Sequence, residues 1–210
     1  MSITSRIKSN PKLKRIMHWL MIPVNEHRPR LWIRLFVNPF IHHKGKGALI
    51  RRRTRMDVFP FNTFSLDDHS VIEDFSTINN GVGEVKIGKR TIIGLSNTII
   101  GPVTIGDDVM FAQHIVVSGM NHGYEDVTIA PSLQKEICKP IVIEDAVWIG
   151  ANCVITAGVT IGKHTVIGAG SVVTKNIPAY CIAVGNPAKV IKKYNIETQK
   201  WEKCSGQNAS

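Results

Sequence analysis

Aliphatic side chains recur at every sixth position over most of the chain. Of 16 such positions, 14 are Leu, Ile or Val. A helix repeats at about 3.6 residues and a lone strand at 2, so a period of six predicts short strands joined by corners. The positions are Leu66, Ile72, Ile78, Ile87, Ile93, Ile99, Ile105, Phe111, Val117, Ile143, Ile149, Ile155, Ile161, Ile167, Val173 and Ala179.

The residues around each aliphatic position predict how the strands connect. The next residue is often glycine, as at Gly150 and Gly168, and small or β-branched residues follow, which is typical of a turn between short strands. Three strands make a coil of 18 residues, and parallel coils stack about 4.8 Å apart. We therefore expect Ile143, Ile161 and Ala179 to stack on one another, since a single coil cannot bury its own inner face.

Two breaks in the period divide the repeat region. Three extra residues separate Ile78 from Ile87, and residues 119–140 are too many for one coil edge. A segment inserted into a rigid stack is a typical place for function. The pattern predicts a mainly β domain over residues 57–192 with an inserted loop at 119–140, followed by a short helix and tail over 193–210.

The positive charge is concentrated at the N-terminus. Residues 1–56 hold 14 Lys or Arg and one acidic residue, whereas the rest holds 12 and 15. Segments 11–22 and 29–37 mix apolar and basic residues behind a proline and predict two short helices. Two interpretations stay open: a helical cap on the open end of the stack, or a basic amphipathic segment on an anionic membrane surface. No nucleic-acid-binding motif accompanies the charge, so we expect no nucleic-acid partner.

Length, charge and cysteine spacing argue against several classes of protein. The chain has 210 residues and a net charge of +10. We expect neither a membrane-spanning helix, because no run of about 18 apolar residues occurs, nor a signal peptide, because the basic N-terminus lacks a cleavage site. Four cysteines without a C-x-x-C spacing argue against a zinc ribbon or disulfide framework. Free thiols suit a cytoplasmic location, peripheral to the inner membrane face if the N-terminal segment binds lipid.

Four segments resemble the hexapeptide-repeat acyltransferases: VWIGAN at 147–152, AGVTIG at 157–162, GAGSVVTK at 168–175 and GNPAK at 185–189. That resemblance implies a left-handed parallel β-helix and a homotrimer. Together with the sequence pattern, the expected fold is this β-helix with an N-terminal helical cap and a short C-terminal helix. The loop sequence NHGYED at 121–126 is similar to the sugar and polysaccharide O-acetyltransferases related to maltose and galactoside acetyltransferases. The implied reaction moves acetyl from acetyl-CoA to a hydroxyl of a sugar or surface glycan.

The same resemblance implies a catalytic histidine at His122. Acetyl transfer to a hydroxyl needs a base, and an imidazole is neutral enough at cellular pH to act as one. Either Glu125 or Asp126 could hold the far imidazole nitrogen, as a carboxylate does in a catalytic triad, or both could be solvated loop acids.

The 18-residue register puts Ala151 and Ala169 at one corner of neighbouring coils. Their small side chains would leave a groove for the pantetheine arm, and the Ala151 N–H is a candidate donor to the thioester oxygen. The resemblance implies further contacts to coenzyme A from Trp148, Thr174, Lys175, Lys189 and Lys192. Trp148 could instead cover the coil edge, and the lysines could form a solvated basic face.

Two asparagines, Asn79 and Asn97, are weaker candidates for the acceptor site. A metal is not expected, because the β-helical γ-class carbonic anhydrases need an H-x-x-x-x-H pair and Val117 stands five residues before His122. Two alternatives to the O-acetyltransferase remain: an N-acetyltransferase on an amino sugar, and a non-catalytic β-helical scaffold or binding module.

Overall fold

The described chain begins with three short helices and continues as a stack of parallel strands. The computed structural model describes residues 10–204 apart from 25 and 27. The helices are α1 (Pro11–Met21), α2 (Leu31–Phe36) and α3 (Asn38–Ile41). The Asn10 side chain caps α1 by accepting from the Lys12 and Leu13 amides, with Pro11 at the first helical position. The helices predicted over 11–22 and 29–37 are therefore present.

Six coils of three strands form the body of the described chain. Their strands are β1 (His43–Lys44), β2 (Leu49–Ile50), β3 (Arg55–Asp57), β4 (Phe64–Leu66), β5 (Val71–Ile72), β6 (Thr77–Asn79), β7 (Val85–Ile87), β8 (Ile92–Ile93), β9 (Thr98–Ile100), β10 (Val103–Ile105), β11 (Met110–Phe111), β12 (Val116–Ser118), then, after the inserted strands β13 (Met120–Asn121) and β14 (Ile137–Cys138), β15 (Ile141–Ile143), β16 (Trp148–Ile149), β17 (Val154–Ile155), β18 (Thr160–Ile161), β19 (Val166–Ile167) and β20 (Val172–Val173). Strands β21 (Cys181–Val184), β22 (Lys189–Asn195) and β23 (Lys200–Lys203) follow.

Every third strand joins the same sheet, so the coils build three flat faces. The first face holds β1, β4, β7, β10, β15 and β18, the second begins at β2, and the third begins at β3. We name the corners by the faces they join: the first corner leads from the first to the second face, the second corner from the second to the third, and the third corner back to the first. This is the predicted parallel β-helix.

The inward aliphatic residues stack in the predicted register. Ile143 pairs with Ile161, Ile149 with Ile167, and Ile155 with Val173. Nearly all of the repeated positions have their side chains at most a few per cent exposed. Burial of a side chain of this size is worth about 1.5–3 kcal/mol, so the stack supplies most of the apolar stabilisation.

The β-helix starts one coil earlier than the sequence predicts. Strands β1 to β3, over residues 43–57, belong to the first coil and not to a separate helical segment. The first coil lies 22 residues before the second, since Lys44 pairs with Leu66. The sequence pattern did not reveal this coil for two reasons. Its spacing of 22 residues to the next coil departs from the 18-residue repeat, and Lys44, which is exposed at the open end of the stack, occupies a position that is aliphatic in the later coils.

The C-terminal end also differs from prediction. Ile161 pairs with Ile177, so Ala179 does not complete that column. The predicted short helix over 193–210 is wrong for the part that the structure describes, where β22 and β23 form an antiparallel hairpin on β21. The hairpin satisfies the free edge of β21, and β-branched and aromatic residues such as Val190 and Tyr194 suit a strand. Residues 205–210 lie outside the described chain.

The helices α2 and α3 pack against the first coils. Asn38 Nδ2 donates to the Val58 carbonyl at 2.7 Å, and the Phe64 amide donates to His42 Nδ1 at 3.2 Å. Arg28 forms an ion pair with the buried Asp57 at 3.5 Å. These contacts fix the N-terminal helices to one end of the β-helix as a cap.

The outer surfaces of the three faces differ in chemistry. On the second face, one outward column is apolar in all six coils and in β21: Leu49, Val71, Ile92, Met110, Trp148, Val166 and Ile182. The corresponding column of the first face is mostly polar: His43, Ser65, Lys86, Thr104, Val142 and Thr160. Ile92, Met110 and Trp148 are 43%, 49% and 50% exposed, so the second face presents an apolar stripe to its surroundings.

Candidate active site

The inserted loop leaves the stack at the third corner, after β12. Its stem is the antiparallel pair β13–β14, extended by the Lys139 amide donating to the Gly119 carbonyl at 2.8 Å. Gln134 ties the far part of the loop together, because its Nε2 donates to the carbonyls of Asp126 and Ile129, both at 2.8 Å. The loop is therefore an organised projection.

His122 follows β13 directly and is exposed. The next residue, Gly123, is buried, and its amide donates to the Lys135 carbonyl at 3.2 Å. A Cβ at Gly123 would meet that same carbonyl at 2.9 Å, so the glycine allows the two loop strands to approach. The backbone on both sides of His122 is thus held while its imidazole stays accessible.

The two acids proposed to orient His122 make local contacts in the single chain. Glu125 accepts from the Tyr124 amide at 3.0 Å, and backbone amides lower the pKa of its carboxyl. Asp126 accepts from the hydroxyl and the amide of Thr128 at 2.6 and 2.9 Å, and these bonds lower its pKa. Within the described residues no hydrogen bond or ion pair joins either acid to His122. The orienting role stays a prediction.

Ala151 and Ala169 lie at the second corner of adjacent coils. The Gly170 amide donates to the Ala151 carbonyl at 2.8 Å, and a Cβ on Gly150 would collide with the Ala169 backbone. The predicted register of these two alanines is therefore present.

The first corner carries a ladder of aspartates, whereas at the second corner one aspartate, Asp74, accepts from a backbone amide of the coil below, that of Arg53 at 2.9 Å. Asp107 accepts from the Lys89 amide of the coil below at 2.8 Å, and Asp145 accepts from the Asp107 amide at 2.8 Å. At the first coil, Asp68 caps the Lys46 amide at 2.7 Å in the same way. Each carboxylate thus satisfies the amide of the equivalent residue one coil below.

At the second corner, the position that would cap the Ala151 amide is Ala169. A methyl group cannot accept a hydrogen bond, and no hydrogen bond in the described chain uses the Ala151 N–H. Backbone donors that are unpaired within the protein are available to a ligand. The alanines therefore do more than leave room, since they leave this N–H without a partner in the described chain, whereas the equivalent amides of Lys89 and Asp107 at the first corner are capped.

Two of the remaining predicted coenzyme A residues lie close to this corner. Trp148 stands in the apolar stripe just before Gly150 and is half exposed. Lys189 pairs with Val184, whose side chain would meet a Cβ on Gly168. Lys192 lies farther along β22, opposite Ile182.

Thr174 and Lys175 follow β20 and so lie at the third corner, with the base of the His122 loop. A single chain therefore divides the predicted site residues between two corners. The alanines and Lys189 are at the second, and the loop, Thr174 and Lys175 are at the third.

Asn97 is not an acceptor-site residue. Its side chain is fully buried, with Nδ2 donating to the carbonyls of Gly94 and Ala112, both at 2.9 Å, and Oδ1 accepting from the Ile115 amide at 2.6 Å. The side chain braces the second corner from inside, so the sequence-based assignment is wrong. Sequence could not separate an inward from an outward asparagine at a corner.

We expect Asn97→Ala to lower the free energy of unfolding by about 2–4 kcal/mol, because it leaves buried backbone groups without partners. Urea denaturation measures the loss, and steady-state kinetics of the folded fraction should show an unchanged acceptor KM. A raised KM with normal stability would restore Asn97 to the acceptor site.

Asn79 keeps its place as a candidate. It lies at the end of β6, in the column that continues through Ile100 to Ser118, directly before the loop. Its Oδ1 accepts from the Gly81 amide at 2.7 Å, and no hydrogen bond of the described chain uses its Nδ2.

The buried thiol of Cys153 lies at the second corner, between the coil of Ala151 and the coil of Ala169. Its Sγ contacts the Gly168 carbonyl at 3.2 Å, and burial raises its pKa. A thiol in this state is a poor nucleophile. Among the described residues, no group of three or more His, Cys, Asp or Glu side chains is arranged to hold a metal ion.

Two features of the site escaped sequence reasoning. The first is the pair of hydrogen bonds by which Gln134 holds the loop together. A glutamine in a polar loop gives no sign in the sequence of such contacts. The second is the apolar stripe of the second face. The sequence did contain its signal, because the residue directly before each inward aliphatic residue of this face is itself apolar.

Within the described chain, none of the helices has the length and apolarity needed to cross a bilayer.

Comparison with known proteins places the chain in a family. Residues 140–175 match the model "Bacterial transferase hexapeptide (six repeats)", and residues 84–111 match "Hexapeptide repeat of succinyl-transferase". A yeast relative, "Putative acetyltransferase C18B11.09c" of Schizosaccharomyces pombe, is 35% identical over 75% of this chain and 75% of its own length. The chain belongs to the hexapeptide-repeat acetyltransferases. This confirms the resemblance drawn from its motifs.

Two bacterial relatives of this hexapeptide-repeat acetyltransferase are named for sugar substrates. "Putative lipopolysaccharide biosynthesis O-acetyl transferase WbbJ" of Escherichia coli is 39% identical over 50% of this chain, and galactoside O-acetyltransferase of Escherichia coli is 40% identical over 53%. The matches span 57% and 55% of those proteins, so the chain covers little more than half of each.

The fold is also that of a solved acyltransferase. AntD from Bacillus cereus is an N-acyltransferase, and a mutant of it was crystallised in complex with dTDP-4-amino-4,6-dideoxyglucose and coenzyme A. That structure superposes on this chain with a TM-score of 0.65. The two are 22% identical, and the superposition covers 79% of this chain and 91% of AntD. At this identity the likeness concerns the fold.

Proposed function

We propose that this protein transfers the acetyl group of acetyl-CoA to a hydroxyl of a sugar or surface glycan. The observation that carries the proposal is that the chain holds both an accessible histidine, on the organised loop at the third corner, and an uncapped N–H, at the alanine-lined second corner. Homology to enzymes named for sugar O-acetylation supports the choice of acceptor.

In the proposed reaction, His122 takes the proton of the acceptor hydroxyl as its oxygen attacks the thioester carbon. The carbonyl oxygen gains negative charge, and the Ala151 N–H donates to it. The C–S bond then breaks, the acetyl group stays on the acceptor oxygen, and the His122 imidazolium returns its proton to the coenzyme A sulfur. The raised pKa of Cys153 supports direct transfer over a covalent acetyl-cysteine.

We place coenzyme A along the second corner, with its thioester at Ala151 and its phosphates towards the lysines of the hairpin. Trp148 would pack along the pantetheine arm. Thr174 and Lys175, at the third corner, would meet the nucleotide end from a neighbouring chain. Lysine suits phosphate as a point charge.

The site would be completed in a homotrimer. In one chain His122 and Ala151 belong to different corners, and an assembly that seals the apolar stripe would bring the loop of one copy to the second corner of the next. Tyr124, Val127 and Leu133, which are 71%, 94% and 79% exposed, give the loop an apolar tip suited to such a contact.

The proposal is tested by incubating the protein with acetyl-CoA and matched acceptors that carry either hydroxyls only or an added amine. We expect acetate esters on hydroxyl sugars, detected by product mass and removed by mild base. Transfer confined to the amine would establish the N-acetyltransferase alternative. Coenzyme A binding without acetyl transfer to any of these acceptors would favour the alternative of a non-catalytic scaffold or binding module.

A further inference from the structure

The N-terminal helices expose most of their large apolar side chains. In the stretch from residue 13 to 41, eleven such side chains are more than one third exposed, and among large hydrophobic residues there only Ile33 is fully buried. The exposed ones are Leu13, Ile16, Trp19, Leu20, Val24, Leu31, Trp32, Leu35, Phe36, Phe40 and Ile41. We call them the N-terminal apolar surface. A cap that served only to close the β-helix would turn such residues inward.

The exposure follows helix geometry. In α2, Leu31, Trp32, Leu35 and Phe36 recur at the i, i+1, i+4 and i+5 spacing of one face, while Ile33 points to the protein. Phe36 is 71% exposed and Phe40, on α3, is 86% exposed. The cap thus has one apolar face towards the first coil and a second towards solvent.

The two longer helices are held together, so this surface has a fixed shape. The Arg30 guanidinium donates twice to the Trp19 carbonyl, at 3.2 Å in both cases, and lies 5.5 Å from the centre of the Trp19 ring. The Arg30 amide also donates to the Met21 carbonyl at 2.8 Å. Arg28, next to α2, is anchored to Asp57 of the first coil.

Cations greatly outnumber acids in the segment that carries the N-terminal apolar surface, and the ion pairs with acids of the first two coils involve Arg28, Arg51 and Arg55. Residues 10–56 contain 12 Lys or Arg and a single acid, Glu26. Several of the cations are exposed and form no ion pair within the described chain, among them Lys12, Arg15 and Arg34. An apolar surface with a strongly positive rim is complementary to a layer with an apolar interior and a negative surface.

We propose that the N-terminal apolar surface binds the face of an anionic lipid bilayer. Trp19 and Trp32 would lie at the level of the headgroups, where the amphipathic indole ring is favoured. A second copy of this chain fits the surface less well, because it would bring an equally positive rim against the first. The proposal does not depend on acetyl transfer.

Co-sedimentation of the full chain with vesicles tests the proposal. We expect binding to phosphatidylcholine vesicles that contain phosphatidylglycerol, little binding to phosphatidylcholine alone, and loss of binding at high salt. Because each basic residue near an anionic surface adds about fivefold to binding, Lys12→Gln with Arg15→Gln should weaken it roughly 25-fold. Trp32→Ser with Phe36→Ser should weaken it at least about tenfold through lost apolar burial.

Matched controls lie at the opposite end of the stack, on the C-terminal hairpin and its turn. Lys200→Gln with Lys203→Gln removes the same charge, and Ile196→Ser removes an apolar side chain that is 74% exposed. Both should leave vesicle binding within about twofold. The proposal fails if anionic vesicles bind no protein at low salt, or if the controls act as strongly as the surface variants. It also fails if Trp32→Ser with Phe36→Ser dissociates the oligomer in light scattering, because the surface would then be a contact between copies.

Discussion

His122→Ala is expected to lower the rate of acetyl transfer by about 10²- to 10⁴-fold, the usual contribution of a general base. The fold should persist, because His122 is exposed on a loop whose stem is held by β13–β14 pairing and by backbone bonds on either side. Coenzyme A affinity should persist as well, because the residues proposed to hold coenzyme A all lie outside the inserted loop. Steady-state kinetics with acetyl-CoA and the true acceptor would show the loss in kcat, and calorimetry would show unchanged binding of coenzyme A.

The matched control for His122→Ala is His69→Asn. His69 is another exposed histidine, at the first corner between β4 and β5, with a positive φ of 59° that asparagine tolerates. Its replacement should leave kcat within about twofold, as for a surface substitution outside the site. Near-normal transfer by His122→Ala would assign the base to another group and remove the proposed mechanism, while the β-helix would be unaffected.

The second large effect is expected from Ala169→Asp. The new carboxylate would stand where Asp107 stands at the first corner, and it would accept from the Ala151 amide as Asp107 accepts from Lys89 at 2.8 Å. Capping that N–H removes the proposed donor to the oxyanion, a loss typically of about 10²- to 10³-fold in kcat. Its negative charge would also oppose the developing charge on the thioester oxygen.

Thermal stability should be kept in Ala169→Asp, because the substitution adds a bond of a kind already present at the first corner. Leu95→Asp is the matched control. It occupies the same second corner three coils away, roughly 14 Å along the stack, and would cap an amide that the reaction does not use. If Ala169→Asp turned over normally while stable, the Ala151 N–H would not be the oxyanion donor. If Leu95→Asp were equally inactive, the effect would not be local to the alanine corner.

The periodic part of the chain was predictable from its sequence because each coil obeys the same physical demand. Every sixth side chain must fill the interior. Ile143, Ile149 and Ile155 therefore predict both the strands they lie in and the residues they pair with, 18 positions later. The loop was predictable for the converse reason, since residues between Val117 and Ile143 break a period that their neighbours keep.

The ends of the stack were not predictable in the same way, because the terminal coils have a neighbour on one side only. Lys44 takes an inward position in the first coil that an enclosed coil would reserve for an aliphatic residue. At the other end, the edge strand β21 recruits β22 from a segment whose lysines resembled those of a solvated helix. In both places tertiary pairing decided the structure over local preference.

The candidate site divides along a similar line. His122 and the alanine pair were identified through motifs, and the register of Ala151 with Ala169 follows from the 18-residue repeat. The sequence did not show which way each side chain points: Asn97 points inward and stabilises the second corner. It also did not show that the Ala151 N–H lacks the aspartate cap that the equivalent amides have at the first corner. The separation of the loop from the alanine corner within one chain also needed the three faces to be known.

The most direct test of the account is complementation between the two inactive variants. His122→Ala chains keep an intact alanine corner, and Ala169→Asp chains keep an intact loop. If the loop of one copy serves the second corner of its neighbour, assemblies formed by random mixing should recover about one quarter of the normal activity per site, because about that share of the subunit contacts pairs two intact halves. Mixed assemblies isolated through two different affinity tags, with acetyl transfer no greater than the sum of the two variants alone, would contradict it.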